Sequence, residues 1–403
     1  MLHLICPRIA ILSPMRAVRL FVPLAAAIIL GCPILTALAQ SPAAPPQVWQ
    51  LQSSGTTASL RGIDAVDATV AWASGSSGTV LRTTDGGAHW ESCVPPKDIK
   101  DWSTLDFRGI QAWDSATAMV MASGPGDSSR LYETEDACAS WKLVFKNPDS
   151  PKGFFDSFWL NTMYGEGILL GDPVDGTFAV FVTQDGGRTW KRDHTPGLSH
   201  HGDTIAAFAA SNSSIARNGT QFLRGFITGG KGGAFLFQRW GGPIYRRYRI
   251  QLMPPRVADA AWSDTSLPLA SGSDGAGGFS LGYRLIPSRC RECKLGPDWH
   301  FVAVGGDYTK PNATAGTAAW SSDGGIHWTA SSPPPHGYRS AVQWSENIKA
   351  WITAGTNGSD ISRDDGQTWQ PLDNGNWNAL SLPFVVGPNG RIAKLDSSAL
   401  PKP

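Results

Sequence analysis

The chain has 403 residues, 34 of them basic and 33 acidic, so it lacks the bulk charge footprint of a nucleic-acid or anionic-lipid partner. Its 45 glycines and 17 tryptophans, with only 17% charged residues, speak for many tight turns and aromatic plugs, and for β rather than helical architecture. The length suits one large all-β unit.

Residues 1–39 read as a signal peptide. Arg8, Arg16 and Arg19 form a basic n-region, Leu20–Leu30 is apolar, and Ala37-Leu38-Ala39 is an A-x-A cleavage signal. The expectation is an exported protein, periplasmic or extracellular. Two alternatives stand beside it. Ile29-Leu30-Gly31-Cys32 loosely resembles a lipoprotein box, which would place a lipid on Cys32. An uncleaved anchor would have to tolerate Pro23 and Pro33. No later segment is long and apolar enough to span a bilayer, so no transmembrane domain is expected after cleavage. Without the leader, 31 basic residues face 33 acidic ones. Export permits disulfides. Cys93, Cys138, Cys290 and Cys293 allow three pairings. Cys290-Arg291-Glu292-Cys293 reads as a local loop disulfide rather than half a zinc knuckle, because no second pair or histidine stands at ligand spacing.

From residue 40 a turn phrase recurs. It reads Thr84-Asp85-Gly86-Gly87-Ala88-His89-Trp90, and again with Asp185 and Trp190, with Asp323 and Trp328, and as Asp364-Asp365-Gly366-Gln367-Thr368-Trp369. Asp136 with Trp141 is a degenerate copy, and Arg239-Trp240-Gly241-Gly242-Pro243-Ile244-Tyr245 is a more worn one. The aspartates stand 51 residues apart (Asp85 to Asp136), then 49 (to Asp185), and 41 (Asp323 to Asp364). Such periods with turn chemistry mark propeller blades. In the phrase, Asp accepts from backbone amides ahead of it, glycine supplies positive φ, and Trp folds back as an apolar plug. This is the Asp-box, or bacterial-neuraminidase-repeat, signature. A repeated turn residue is explained by the turn, so these aspartates are expected to be structural and not catalytic.

Residues 40–403 are therefore expected to form a single seven-bladed β-propeller of four-stranded antiparallel blades. In the first blade the strands are Arg61–Val66, Val70–Ser74, Thr79–Thr83 and Trp90–Val94. Further inner strands are Arg108–Trp113, Asp156–Leu160, Ile205–Ala210, Phe279–Arg284, Arg339–Trp344 and Asn378–Leu382. The last blade lacks an outer strand after Arg391–Leu395, and Gln47–Gln52 can supply it, removing an open edge. The stretch 257–299 fits poorly and reads as an insertion in or before blade five. Its Gly-rich run, like Gly229-Gly230-Lys231-Gly232-Gly233, lacks the helix and Gly-Lys-Ser/Thr ending of a phosphate loop.

Strand alternation puts the Asp-boxes on one face and the approaches to the inner strands on the other. The residues just before the inner strands are Arg61, Arg108, Asp156, Asp203, Phe279, Arg339 and Asn378. Arg61, Arg108 and Arg339 should share one arc of the channel mouth, with Asp156 and Asp203 on the neighbouring blades. Lys231 and Lys310 belong to loops of the same face, and Tyr308, Tyr338 and Trp377 are its candidate aromatics. Guanidinium groups grip carboxylates bidentately, so the patch is suited to an acidic partner segment or ligand. The bland alternative pairs each arginine with a neighbouring carboxylate. His200, His201 and Asp203 do not reach a metal ligand count. No metal, no cofactor and no catalytic residue are expected, and the protein is expected to be a monomer. Asn212, Asn218, Asn312 and Asn357 lie in N-x-S/T sequons and read as turn residues.

The repeated boxes, Leu105-Asp106-Phe107-Arg108-Gly109-Ile110, Gly337-Tyr338-Arg339-Ser340-Ala341 and Asn376-Trp377-Asn378-Ala379-Leu380-Ser381-Leu382 resemble the photosystem II stability/assembly factor family over about 47–396. The resemblance implies a seven-bladed propeller, a lumenal or periplasmic location and an arginine patch for a partner protein's acidic segment, with Arg61, Arg108 and Arg339 at the matching positions. Nothing in the chain points to chlorophyll proteins. The first expectation is a non-enzymatic binding or assembly propeller. A sialidase-like glycosidase would need a Tyr nucleophile, with Tyr338 or Tyr283 as candidates. It would also need a paired Glu, for which only Glu166 offers itself, and an acid such as Asp156 or Asp203. A carbohydrate-binding propeller without turnover is the third reading.

Overall fold

A computed structural model describes residues 47–216, 223–240, 261–286 and 298–401. The leader, Cys32, Asn218, Gly241–Tyr245 and the Cys290/Cys293 pair lie outside the described residues.

Seven antiparallel sheets stand in a ring, a seven-bladed β-propeller. Blade 1 is β1 (Leu60–Ala65), β2 (Ala71–Gly75), β3 (Val80–Thr83) and β4 (Glu91–Ser92). Blade 2 runs from Phe107–Ala112 to Lys142–Lys146, and blade 3 from Phe155–Asn161 to Lys191–Arg192. Blade 5 runs from Ala276–Ile286 to Thr329–Ala330, and blade 6 from Ala341–Ser345 to Gln370–Asp373. Blade 7 closes the ring: Trp49–Gln52 pairs with Ile392–Leu395 as its outer strand, so both ends of the propeller share one sheet. Among the described residues helical structure is confined to short 3-10 turns, and no helix is long and apolar enough to cross a membrane.

The repeated phrase folds the same way five times. Asp185 Oδ1 accepts from the Thr189 amide at 2.9 Å and from Thr183 Oγ1 at 2.8 Å, Oδ2 accepts from Thr189 Oγ1 at 2.6 Å, and Thr183 Oγ1 accepts from the Gly187 amide at 3.1 Å. Asp85, Asp136, Asp323 and Asp364 each receive the amide four residues ahead in the same manner. These bonds stabilise the ionised carboxylate, and they hold Asp85 and Asp185 near pKa 2. Trp141, Trp190 and Trp369 are buried and Trp90 and Trp328 half-buried in the blade stack. The degenerate copy keeps the left-handed turn without glycine, at Ala137 (φ 58°) and Cys138 (φ 62°), and Cys138 is disulfide-bonded to Cys93 at the end of blade 1. Asp365 is not part of its turn's hydrogen-bond set. It stands at φ 61° where the other phrases place glycine, and it binds Arg284 of blade 5 at 2.8 Å. Replacing Asp185 by Ala would strand three donors of this turn, and the expected cost is on the order of 1–3 kcal/mol in a denaturant or thermal melt. A melt unchanged from wild type would contradict the turn account.

Blade 4 departs from expectation. Ile205–Ala210 is not a ladder strand. Among the described residues, the segment 204–216 meets its sheet at the isolated bridges Ala206–Gly229 and Ile215–Phe226, and the ladder strands are Leu223–Ile227, Ala234–Trp240 and Ser263–Leu267. Part of the stretch 257–299 thus supplies blade scaffold: Ser263–Leu267 is the outer strand of blade 4 and Ala276–Ile286 the inner strand of blade 5.

The departure carries the segment across the axis. Ser211 Oγ donates to the Ser340 carbonyl of blade 6 at 2.6 Å, and Ser213 Oγ bonds Ser280 of blade 5 at 2.7 Å. Asn212 accepts from the Phe158 amide of blade 3 at 2.8 Å and donates to the Ile110 carbonyl of blade 2 at 3.3 Å. A strand in regular register could not reach four other blades. The Asn212 backbone at φ 57° turns the segment across the axis.

Candidate functional site

At the mouth where inner strands begin, the ladders of four blades carry a bulge, between Leu60 and Gly62, Phe107 and Gly109, Phe155 and Ser157, and Gly278 and Ser280. The extra residues are Arg61, Arg108, Asp156 and Phe279. A bulge re-aims its side chain out of the pleat, and here it presents equivalent positions around the axis.

Arg61 and Arg108, on adjacent blades, come together over one carboxylate. Asp106 Oδ2 lies 2.8 Å from Arg108 Nε and 3.9 Å from Arg61 Nε. Both arginine side chains are 29% exposed. Burial lowers the Arg61 pKa and the Arg108 charge lowers it further, while Asp106 opposes. Two cations held side by side are electrostatically costly and favour an anion between or above them. Arg108 also lies 5.7 Å from the Phe154 ring centroid. Sequence reasoning missed Asp106 and Phe154, although Asp106-Phe107-Arg108 placed an acid two residues from the base.

Opposite, blades 4 to 6 form an aromatic arc. Phe208 stacks on Phe279 with centroids 4.0 Å apart, and Phe279 meets Tyr338 edge-on at 4.9 Å. Tyr308 is 50% exposed, 6.5 Å from Tyr338. Tyr338 itself is buried, and desolvation pushes its phenol above the ordinary range even though the Arg61 charge acts against it.

Arg339 does not join the patch. It is fully buried, with Nε on Asp360 Oδ2 at 2.6 Å, Nη1 on the Tyr338 carbonyl at 2.7 Å and on Asn357 Oδ1 at 2.5 Å, and Nη2 on His336 Nδ1 at 2.9 Å. Arg339 stands against Gly355 as Leu60 stands against Gly75, one residue before the position that Arg61 occupies in blade 1, so its side chain enters the core instead of the mouth. Trp377 is likewise buried, under Arg391 at 4.5 Å, and packs on Trp49. Asn378 donates to the Leu60 carbonyl at 2.8 Å and stitches blade 7 to blade 1.

The acidic neighbours differ from each other. Asp156 is buried, and Oδ2 has no hydrogen-bond partner among the described residues. Desolvation and Asp172 push its pKa well up, with Arg108 opposing. Asp172 is raised to about 6 by burial. Asp203 lies in an exposed turn, where His200 Nδ1 stands 3.1 Å from its carboxylate. Lys231 and Lys310 are exposed and paired with Asp274 and Asp307 at 3.2 and 3.3 Å. His201 bonds Asp264 at 2.7 Å, and among the described residues no cluster of three metal-ligating side chains exists. Glu166 begins the second strand of blade 3, where it pairs with Asn161, at the opposite end of the blade from Asp156.

No family model matches the chain. It is 26% identical over 160 residues to the photosystem II assembly lipoprotein Ycf48 of Synechococcus sp. (strain CC9902), covering 38% of this chain and 42% of that protein. The match thus spans less than half of the relative's length. Among solved structures, YCF48 bound to D1 peptide superimposes with a TM-score of 0.54 at 16% identity, over 88% of this chain and 99% of the other. YCF48 from Cyanidioschyzon merolae gives 0.53, also at 16% identity, over 87% and 99%. The chain is similar in sequence over part of its length to a photosystem II assembly protein, and it shares that protein's seven-bladed propeller fold.

Proposed function

We propose that this is an exported, non-enzymatic propeller that binds an acidic segment of a partner protein at the Arg61/Arg108 mouth. The observation that carries the reading is the convergence of two half-exposed guanidinium groups, from equivalent bulges on adjacent blades, over a single carboxylate. A ligand carboxylate replacing or joining Asp106 would meet preorganised donors, with the exposed Tyr308 to pack against the flanking residue. The likeness to a solved propeller that holds a peptide supports a protein partner over a glycan. The leader sequence and the Cys93–Cys138 bond support export to an oxidising compartment; a lipid on Cys32 is the tethered variant of the same reading. The turn role of the Asp-box aspartates leaves them no part in chemistry.

The sialidase-like reading fares worse. Arg339, which would have to complete an arginine triad with Arg61 and Arg108, is sealed in the core, Tyr338 is buried, and Glu166 sits at the far end of its blade.

The test is a pull-down from the native envelope with wild type and an Arg61→Ala/Arg108→Ala variant, both checked for equal thermal melting. Each charge-assisted contact is worth about 1.5–3 kcal/mol, so affinity for the captured partner should fall at least tenfold and wild-type binding should weaken with salt. A partner retained by the variant, or none captured by wild type, would overturn the proposal.

A further inference from the structure

Blade 3 places two carboxyl groups behind the arginine mouth. Its inner strand and its second strand, Glu166–Val174, both leave register there. Asp156 is the extra residue of the first ladder, between Phe155 and Ser157, and Asp172 is that of the second, between Gly171 and Pro173. A bulge re-aims its side chain, and here each bulge carries an acid. Asp156 stands in blade 3 where Arg61 and Arg108 stand in blades 1 and 2. It is 2% exposed, and its Oδ2 has no hydrogen-bond partner among the described residues. Such an atom costs free energy and calls for a role other than stability.

Little positive charge is at hand to neutralise the two acids. Arg108 of blade 2 is the cation that acts on Asp156, and that guanidinium already holds Asp106 at 2.8 Å. Asp172 acts on Asp156 twice, its charge raising the pKa and its amide lowering it. Asp172 Oδ1 accepts from the Ala207 amide at 3.2 Å, and the crossing segment 204–216 contains no titratable side chain. Other titratable groups in the loops about blade 3 are paired among themselves: Lys152 with Asp175, Arg192 with Asp149, and His200 with Asp203. Neighbouring acids with one shared cation favour keeping a proton between them. Burial brings Asp172 to about 6 and holds Asp156 well above the ordinary carboxylate range.

We propose that Asp156 and Asp172 form a proton-operated switch for the Arg61/Arg108 mouth: protonating the pair frees the Arg108 charge for an incoming carboxylate, and ionising it sets a competing anion behind the same guanidinium. The inference rests on the reading of the mouth as an acid-binding site. By linkage, an acidic ligand binds more tightly as the pH falls, and its binding takes up protons.

Calorimetric titration of the full protein with an acetylated, amidated tetraglutamate peptide tests it between about pH 7.5 and 5.5, across the Asp172 value. The peptide stays largely ionised there, since glutamate titrates near about 4.3. Affinity should rise about threefold or more toward the lower pH, as expected for one unit charge removed within ~15 Å of the ligand at an effective dielectric constant of about 20. Asp156→Asn/Asp172→Asn should flatten the profile and bind at the upper pH as tightly as wild type does at the lower. A flat wild-type profile overturns the switch and leaves the mouth standing. A slope kept by the double variant assigns the proton to another group and overturns the switch as well. No binding at any pH, by wild type, overturns both. Carboxyl-carbon NMR of the unliganded wild type needs neither peptide nor variant, and finding both acids ionised by about pH 5 would also sink the proposal.

Discussion

Arg339→Ala should be among the most damaging single substitutions in the propeller, lowering stability by about 3–5 kcal/mol. The side chain is fully buried and its ion-pair partner Asp360 is equally buried. Burial lowers the guanidinium pKa, and the Asp360 carboxylate, 2.5 Å from Nη2, is the main force raising it again. Removing the cation leaves a buried carboxylate, and it leaves Asn357 and His336 without a shared donor. His336 Nε2 lies 3.0 Å from the Asn357 carbonyl, to which it can only donate, and its Nδ1 lies 2.9 Å from Arg339 Nη2 and 2.7 Å from Asp360 Oδ1. The same substitution at Arg61 should cost under about 1 kcal/mol, because that side chain is part-exposed and its Asp106 contact is long. Two chemical denaturation curves make the comparison. A melt of Arg339→Ala close to that of Arg61→Ala would mean that the network is not formed, and would return Arg339 to the candidate binding residues. The pairing has a further use: Arg339→Ala is the wrong probe for ligand binding, since lost binding would follow from lost fold.

The contrast between these arginines shows what the sequence carried and what it did not. Blade number, the turn phrase and the closure by Trp49–Gln52 were legible because each is local: a period, a turn chemistry, and an unpaired edge that some strand must fill. Position just before an inner strand was also legible, but it does not fix direction. Arg61 and Arg108 precede Gly62 and Gly109, where an added Cβ would stand 2.5 Å from Ser74 Oγ and 3.0 Å from Asn212 respectively. Arg339 precedes Ser340, whose hydroxyl instead bonds the Asn378 carbonyl at 2.7 Å. An Arg-Gly pair was therefore the available signal that two arginines differed from the third. The Asn212 crossing left no such mark. A Ser-Asn-Ser-Ser run reads as a turn, and only the ring of other blades around it supplies the partners that hold it across the axis. Blade 4 was hard for the converse reason, since its worn phrase offers no Asp to begin the turn.

Removing the Cys93–Cys138 bond should cost roughly 2–4 kcal/mol. The bond closes a sequence separation of 45 residues, for which chain entropy alone gives about 4 kcal/mol at 25 °C and measured values fall at or below that figure. It ties the outer edge of blade 1 to the turn of blade 2, a turn that lacks both usual glycines. Cys138 therefore supports a left-handed residue that other copies of the phrase obtain from glycine without strain. This separates two contributions experimentally. Cys93→Ala/Cys138→Ala loses the cross-link and keeps the strained φ, whereas Cys93→Ala/Cys138→Gly loses the cross-link and relieves it. The glycine variant should be the more stable of the two by about 1 kcal/mol. Reductant should lower the melting temperature of wild type and leave both variants unmoved. If wild type melts alike with and without reductant, the bond contributes nothing, and its support for an oxidising compartment goes with it. If the drop appears, a protein made in a reducing compartment would start several kcal/mol short of the stability seen after oxidation, out of a total that for most domains is only 5–15 kcal/mol. The leader and the cross-link would then be two parts of one requirement, since the second stabilises the fold only where the first delivers it.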